Sequence, residues 1–445
     1  MAPQQSLQQI AAAISGYDPS ALPVAQAQDF IARLVPRVEA VESCAIRDAL
    51  GRTLARDVVS AFDVPAHDNS AMDGYALRGA ELHADQPTRL QVVGAGLAGQ
   101  HFEGSVPPMG CVRITTGAVM PAGLDTVVPQ EFTRSDGAAA IVIPPGVLRR
   151  GDNRRLAGED LARGDAALQA GRRLRPADIG LLASLGLAEV VVYRRLRVAF
   201  FSTGDELRSI GEPLDTGCVY DSNRYTVWAM LQRLGVDAID LGVVRDQPAA
   251  LAAAFTQAAA CADAVITSGG VSVGEADHTK RIMAELGEVL FWRIAMRPGR
   301  PMAIGRIGRG AGIGASIGEM GAAGSTEPPA ILFGLPGNPV AVMVTFYAFV
   351  RDALLRMGGA TPEVLPLLRA ASVEPMRKKP GRTEYQRGIV TRAANGDWQV
   401  RSTGAQGSGI LRSMSQANGM VVLHHDQGSV AAGELVDVLP FDGLV

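Results

Sequence analysis

The spacing of apolar positions changes twice along the chain. Between Val24 and Val35 they recur at steps of three and four, at Ala27, Phe30, Ile31, Leu34 and Val35. That period puts them on one face of a helix, which Pro36 ends. Residues 1–22, rich in Gln and Ala, read as a loosely packed helical arm. A short helical piece over 45–50 and an extended piece over 53–59 follow. From Arg89 to Pro144 the pattern is short apolar runs broken by Gly and Pro. Strands at 90–93, 110–114, 126–129 and 139–143 are expected there, forming a small β-rich domain. A helix over 176–184 packs through Ile179, Leu181 and Leu182.

From Arg197 onward, strand and helix alternate. The runs predict strands at 198–201, 238–244, 264–267, 289–295, 301–304 and 331–333. Helices are expected at 222–234, 248–261, 279–286 and 340–355. Repeated βαβ units give a doubly wound, mostly parallel sheet with helices on both faces. Residues 305–329 are rich in Gly, Ala and Ser, have no period, and read as a flexible insertion. After Pro362, short strands return at 370–373, 384–390, 398–402, 420–423 and 436–439. They make a second small β domain, a barrel or a sandwich.

Composition narrows the class. A chain of 445 residues exceeds one ordinary core, so about two to four domains are expected. With 47% hydrophobic and 20% charged residues it is globular. A net charge of −3 argues against a nucleic-acid partner. The N-terminus shows no basic segment followed by an apolar run, and no stretch is long enough to span a bilayer. Cys44, Cys111, Cys218 and Cys261 form no CxxC pair. The histidines do not cluster, and His424 and His425 read as neighbours on opposite faces of a strand. Neither a zinc site nor a disulfide framework is suggested, and a reducing cytoplasm is the expected setting.

The chemistry concentrates at Ala264–Lys280. A strand runs into Ser268-Gly269-Gly270, and Glu275, Asp277, His278 and Lys280 follow around a helix start. Glycine permits positive φ and close ligand approach, and this layout suits a ligand site at the C-terminal edge of a parallel sheet. A tight turn with a solvated helix start is the alternative for this stretch alone. Three further loops leave expected strand ends on the same edge. They carry Asp205 and Glu206, then Asp246, then Pro336, Gly337, Asn338 and Pro339. Asn338 suits the N-cap of the last helix and Pro339 its first turn. Glycine turns and helix starts offer N–H donors to an anion, while Glu206, Asp246 and Asp277 offer hard oxygens that suit Mg²⁺ bridging to phosphate. Arg293 and Arg297 are spaced to share a face of one extended segment ending in Arg300, and guanidinium groups pair with tetrahedral oxyanions. The sum is a site for a phosphorylated ligand with a divalent cation. No GxxxxGK[ST] loop and no GxSxG elbow is present.

Two more stretches stand out. Asp63–Ala76 is dense in turn formers, yet holds more carboxylates than a turn requires. Arg113–Ala118 is a strand running into a Thr-Thr-Gly turn that could meet an anion or simply be capped.

Taken together, the chain resembles the MoeA family of molybdopterin molybdenumtransferases, whose relatives include the E domain of gephyrin. The matching stretches are 68–76, Thr116-Gly117-Ala118, Gly158-Glu159-Asp160, 201–207, Ser268 to Asp277, 334–339, Pro380-Gly381-Arg382, and Gly404 with Gln406-Gly407-Ser408. The Ser-Gly-Gly-Val-Ser core is shared with the related adenylyltransferases. The resemblance implies an α/β multidomain, elongated subunit. Its parts would be an N-terminal arm over 1–22, an α/β linker domain from 23–60 plus 150–190, and a β-rich domain over 61–149. A central domain would span 191–360 and a C-terminal β-barrel domain 361–445. It implies a homodimer with the site between subunits, and transfer of molybdenum from molybdate to adenylylated molybdopterin with release of AMP, dependent on Mg²⁺. Asp68 and Thr116 would reach the cleft from the β-rich domain, from the other subunit in one arrangement, and Asp160 would act near them. Glu206, Asp246 and Asp277 would serve metal and pyrophosphate. Ser268, Gly269, Gly270, Ser272 and Gly274 would line the substrate loop, Pro336 and Pro339 would shape their own, and Arg387 and Ser408 would come from the last domain. The adenylyltransferase and molybdoenzyme chaperones are the candidate protein partners, with no nucleic acid and no membrane.

Two departures from the family pattern stand in this chain. Arg293, Arg297 and Arg300 replace lysines, which exchanges a point charge for a planar fork and leaves molybdate against tungstate open. Residues 305–329 form either a flap or a tolerated loop. Two other functions remain to be separated: an adenylyltransferase using ATP, and a gephyrin-like scaffold.

Overall fold

A computed structural model describes residues 5–137, 139–271, 277–309 and 328–442, with Asp277 described by its backbone alone. At its centre are strands Arg197–Thr203 (β1), Asp237–Val244 (β2), Ala264–Ser268 (β3), Gly287–Arg293 (β4), Pro301–Ile307 (β5) and Ala330–Leu335 (β6). They form one six-stranded sheet in the order β2-β1-β3-β6-β5-β4. The first four run parallel, and β5 and β4 are antiparallel additions at one edge. Strands β3 and β6 are buried along their whole length, as sheets covered on both faces require. Alternate residues sort to opposite faces. Val198, Phe200, Ile266 and Phe333 join one core with helix Ser222–Leu234 (α1). Ala199, Phe201, Val265 and Leu332 join the other, with helices Pro248–Cys261 (α2) and Asp277–Leu286 (α3). The doubly wound architecture therefore follows from period-two patterning in apolar strands.

The flanking parts confirm the two β-rich units. Thr126–Pro129, Gly74–Leu77, Gly110–Ile114, Thr88–Gly96, Ala140–Ile143 and Arg134–Ser135 make a second six-stranded sheet. In the C-terminal part, Thr383–Arg392 pairs with both Trp398–Ser402 and Gly419–Leu423, which closes a barrel. The same strand pairs with Met296–Arg297 and so fastens the barrel to the central domain at the arginine segment. Val41–Ala45 pairs with Glu189–Tyr193, and Val58–Val59 with Ala166–Leu168. Residues from either side of the first β-rich unit thus pair with each other. No helix among the described residues is long and apolar enough to cross a membrane.

Several expectations change. The N-terminal arm is not loosely packed. Helix Leu7–Ala12 buries Leu7 and Ile10 completely in the core that holds Phe30 and Trp292. Leu7, Ile10 and Ile14 form an apolar stripe that the Gln-rich composition masks. The Leu7 N–H donates to Glu288 at 2.8 Å, and Arg306 donates to the Gln5 carbonyl at 2.7 Å. Residues 45–50 are a strand end and a 3₁₀ turn, Ile46–Asp48, rather than an α-helical piece. The helix expected over 340–355 is Pro339–Thr345 (α4), a π-helical stretch Phe346–Val350, and Arg351–Met357 (α5). The Thr345 hydroxyl donates to the Ala341 and Val342 carbonyls at 2.7 and 3.0 Å, at the point where the ladder changes. His424 lies beyond the end of its strand, with Nε2 2.6 Å from Asp437.

The 305–329 stretch begins later than expected, because β5 continues to Ile307. Ile307 pairs with Ala330 at the start of β6, so both stems stand at the sheet edge where the parallel strands begin. Arg309 ties the stems, donating to the Pro328 carbonyl at 2.9 Å and to Asp263 at 3.2 Å. That edge is opposite the one that carries the glycine turns. Residues 310–327 lie outside the described residues.

Asp263 anchors that far edge. It accepts both Nη atoms of Arg194 at 2.7 Å and the Arg197 N–H at 2.9 Å. Burial works against its charged form, but Arg194 and the Arg197 N–H outweigh it and hold the carboxyl below the usual range. Its stabilisation is therefore complete above the unfolded carboxylate pKa and is lost as pH falls through the lower folded value. Asp263→Ala would leave three arginines facing a gap. It is expected to lower stability by about 3–5 kcal/mol at neutral pH, read by urea unfolding, with the difference from wild type shrinking in acid.

Candidate functional site

The turns at the C-terminal ends of the parallel strands meet in one cleft of about 620 Å³. It is lined by Thr203, Gly204 and Glu206 after β1, Asp246 after β2, Ser268–Gly270 after β3, and Pro336–Asn338 after β6. His278 and Thr279 join from the start of α3, Arg297–Gly299 from the segment beyond β4, and Gln406–Ser408 from the barrel. The convergence follows from strand direction: four parallel strands deliver their C-terminal loops to one edge.

Both glycines of the central turn are required. Gly269 has φ +95°, and a Cβ there would stand 2.6 Å from the Thr203 carbonyl. At Gly270, φ is +69° and a Cβ would come within 2.6 Å of Thr279 Cγ2. The turn does not offer all its donors to an anion, however. The Gly269 N–H is already given to the Leu335 carbonyl at 3.1 Å, which joins the ends of β3 and β6. Asn338 occupies the N-cap of α4 but makes no side-chain cap, and Pro339 takes the first turn. Ser408 is held at this helix start, its carbonyl accepting the Val340 N–H at 3.0 Å.

Glu206 and Asp246 both line the cleft and are exposed. The Asp246 N–H donates to Asp205 at 3.3 Å, which links the two acidic turns. Asp277 begins α3 beside His278, and its side chain lies outside the described residues, as do Ser272 and Gly274 entirely. Among the described residues no group of three or more His, Cys, Asp or Glu side chains stands ready for a metal.

The three arginines separate. Arg297 lines the cleft and also an adjoining hollow of about 420 Å³, shared with Arg377, Arg387, Glu374 and Glu384. Arg293 and Arg300 are exposed and outside the cleft lining. Alternation would have kept Arg293 and Arg297 together only in one unbroken strand. The chain instead folds back, with the Ile294 N–H donating to the Arg300 carbonyl at 2.7 Å. Arg293 pairs with Pro301 in the central sheet and Arg297 with Glu384 in the barrel.

Arg387 borders that hollow, with its guanidinium taken up by the barrel. It is 1% exposed. Its guanidinium donates to Ser413 Oγ at 2.9 Å and to the carbonyls of Ala405, Gln406 and Gly407 at 3.4, 3.3 and 2.9 Å. Burial first, then the neighbouring Arg297 charge, push its pKa down to about 10. What Arg387 does is shape the loop that presents Gln406 and Ser408.

Asp68, Thr116 and Asp160 sit in the β-rich half. Asp68 accepts the Ala157 N–H at 2.8 Å and a fork from Arg154. The Ala157 N–H, then Arg154, hold its carboxyl below the usual range. Thr116 gives its N–H and hydroxyl to Asp73 at 2.7 and 2.8 Å. Asp160 is exposed, with its N–H on the Val64 carbonyl at 3.0 Å. Asn69–Ser70 pairs with Arg154–Arg155, Gly117 donates to Ser70, and Gly158 donates to Pro65. These bonds lace the three segments together, yet none of the three residues lines the cleft of its own chain. Thr203, His278 and Gln406, named in the sequence only as parts of longer stretches, line it too, and Asn223 lines it without having been singled out. Asn223 had a usable signal: Asp221-Ser222-Asn223 opens a helix, with the Asp221 side chain as N-cap accepting the Arg224 N–H.

Comparison with known proteins covers nearly the whole chain. Residues 22–186 match the model of the MoeA N-terminal region (domain I and II), 199–356 that of a probable molybdopterin binding domain, and 369–441 that of the MoeA C-terminal region (domain IV). The chain is 39% identical over 423 residues to a molybdopterin molybdenumtransferase of Haemophilus influenzae, covering 94% of this chain and 98% of that one. It is 32% identical to a gephyrin of Dictyostelium discoideum, over 90% of this chain and 59% of the other. A crystal structure of a molybdopterin biosynthesis moeA protein from Pyrococcus horikoshii OT3 superposes with a TM-score of 0.78 at 26% identity, over 95% of this chain and 100% of that one. With its architecture, its cleft and these matches in agreement, the chain belongs to the MoeA family of molybdopterin molybdenumtransferases.

Proposed function

We propose that this chain inserts molybdenum from molybdate into adenylylated molybdopterin and releases AMP, acting in the cytoplasm. The observation that carries this reading is the shared cleft, whose lining brings together Glu206, Asp246, Arg297, Ser408 and the glycine turn Gly269-Gly270. Such a site holds a doubly anionic oxyanion and a phosphate bridge at once. Arg297, a rigid fork, orients the oxyanion. Ser408, fixed by Arg387 and by the start of α4, offers a hydroxyl beside it. Glu206 and Asp246 suit Mg²⁺, which commonly keeps one or two protein carboxylates and fills its remaining positions with water and phosphate oxygens. Bound there, Mg²⁺ would supply positive charge at the phosphate bridge. The chain's own contribution is preorganised electrostatics: it binds, orients and balances charge, and no side chain is required to form a covalent bond.

The β-rich residues Asp68, Thr116 and Asp160 enter only if a second copy brings them, since within one chain they lie away from the cleft. We therefore propose a homodimer with the site completed between copies. Incubation of the purified chain with adenylylated molybdopterin, molybdate and Mg²⁺ tests the reading, with AMP release as the expected result. Pyrophosphate release from ATP and unadenylylated molybdopterin would instead identify an adenylyltransferase.

A further inference from the structure

Beneath the cleft runs a line of buried polar groups. Asp221 Oδ1 accepts the Arg224 N–H at 3.2 Å and the Ser202 hydroxyl at 3.0 Å. Its Oδ2 stands 3.6 Å from Arg224 Nε. Every neighbour the carboxylate meets in these contacts is a donor, so it serves as an acceptor. Ser202 Oγ is in turn 2.9 Å from Ser268 Oγ. Asp221, Ser202 and Ser268 are 2%, 1% and 4% exposed, so water does not compete for these bonds.

A serine hydroxyl has one proton to give. Ser202 gives its proton to Asp221, so the contact with Ser268 forms only if Ser268 donates to Ser202. The Ser268 proton therefore points into the protein. Its lone pairs are left for the cleft that it lines.

Asn223 supplies a second acceptor independently. Its Nδ2 donates to the Gly337 carbonyl at 2.7 Å. A carbonyl oxygen can only accept, which fixes the amide orientation and leaves Oδ1 over. That atom is buried without a hydrogen-bond partner among the described residues, while Asn223 lines the cleft. Thr203 Oγ1, on the same floor, also lacks a partner there. The Thr203 hydroxyl can turn to donate or accept, and a phosphate oxygen brought to Ser268 Oγ and Asn223 Oδ1 would meet two acceptors. A ligand edge with N–H groups would satisfy them, and buried acceptors are costly to leave unmatched.

We propose that Asp221, acting through Ser202, is a positioning residue that sets Ser268 as an acceptor, and that Ser268 Oγ and Asn223 Oδ1 receive the N–H edge of a pterin. The inference rests on the molybdopterin reading and adds orientation to it: the aminopyrimidinone end goes to the floor, and the anionic end toward Arg297 and Ser408.

The test uses two probes on the full chain, a free pterin without phosphate and AMP, in wild type, Ser202→Ala, Ser268→Ala and Asn223→Leu. Pterin affinity is expected to fall about tenfold in each variant, the scale of one hydrogen bond, with AMP affinity unchanged. Ser202→Ala is the decisive variant, because it leaves Ser268 in place and frees its proton to turn outward. With the full substrate its KM rises in the same proportion and kcat is retained. Wild-type pterin affinity in Ser202→Ala, parallel loss of AMP, or no pterin binding by wild type would overturn the inference. Molybdenum insertion by wild type is measured on the same preparation. Insertion with unchanged pterin affinity in the variants removes this inference alone, whereas no insertion by wild type removes the molybdopterin reading.

Discussion

Glu206→Gln is expected to lower molybdenum insertion by about 10²–10³-fold, the range seen when one preorganised charge-stabilising group is lost. Glu206 stands on the turn after β1 and lines the cleft with its side chain exposed. The substitution preserves size and removes one charge. Because the group is not part of a buried network, the thermal midpoint should stay within a degree or two of wild type. The loss should fall on kcat, since the carboxylate would help hold the Mg²⁺ whose positive charge meets the phosphate bridge, and pterin affinity should be kept. Asp246→Asn is expected to act in the same direction. If Glu206→Gln turned over at half the wild-type rate or better, Glu206 would be an ordinary solvated turn residue.

The second large effect concerns assembly. Asp68→Ala and Glu206→Gln should each be nearly inactive alone, because one lies on the β-rich half and the other in the cleft. Asp68 is held by the Ala157 N–H and Arg154, which keep its carboxyl below the usual carboxylate range, so its charge is retained at neutral pH. If a second copy supplies Asp68 to the cleft, a mixed dimer of the two variants contains one intact site and one site lacking both groups. Random reassociation of equal amounts should then restore about a quarter of wild-type activity, as expected for a two-fold arrangement. Mixtures that show only the sum of the two residual activities would mean that each chain works with its own β-rich half, or that Asp68 serves elsewhere.

How much of this was legible in the sequence depended on where each residue sits relative to a strand. Glu206, Asp246, Ser268 and Pro336 follow apolar runs directly, so parallel strands had to bring them to one edge. Gly269 and Gly270 were legible for the same reason, and both turned out to be needed for positive φ and close approach. Arg293 was misplaced because its partnership with Arg297 assumed a continuous strand, and the backbone reverses at Ile294 instead. The burial of Arg387 was not legible, because it cannot be read from one charged residue. Its four hydrogen-bond acceptors belong to the barrel loop and to Ser413, contacts that exist only once the barrel closes. The N-terminal helix was hidden by glutamines on its outer face, although Leu7, Ile10 and Ile14 carried the correct spacing. The position of the 305–329 stems needed the direction of β5. That strand runs antiparallel to β6, which puts both stems at the edge away from the cleft, and apolar pattern alone does not give direction. The floor formed by Ser202, Asp221 and Asn223 was passed over because a capped helix start is ordinary when seen without its neighbours.

The most direct test is a single-turnover titration of the chain loaded with adenylylated molybdopterin against molybdate in the presence of Mg²⁺. AMP release should rise in step with molybdate and level off at one AMP for each molybdenum held by the pterin product. AMP released to the same extent without molybdate, or molybdenum bound with no AMP released, would contradict the proposed reaction.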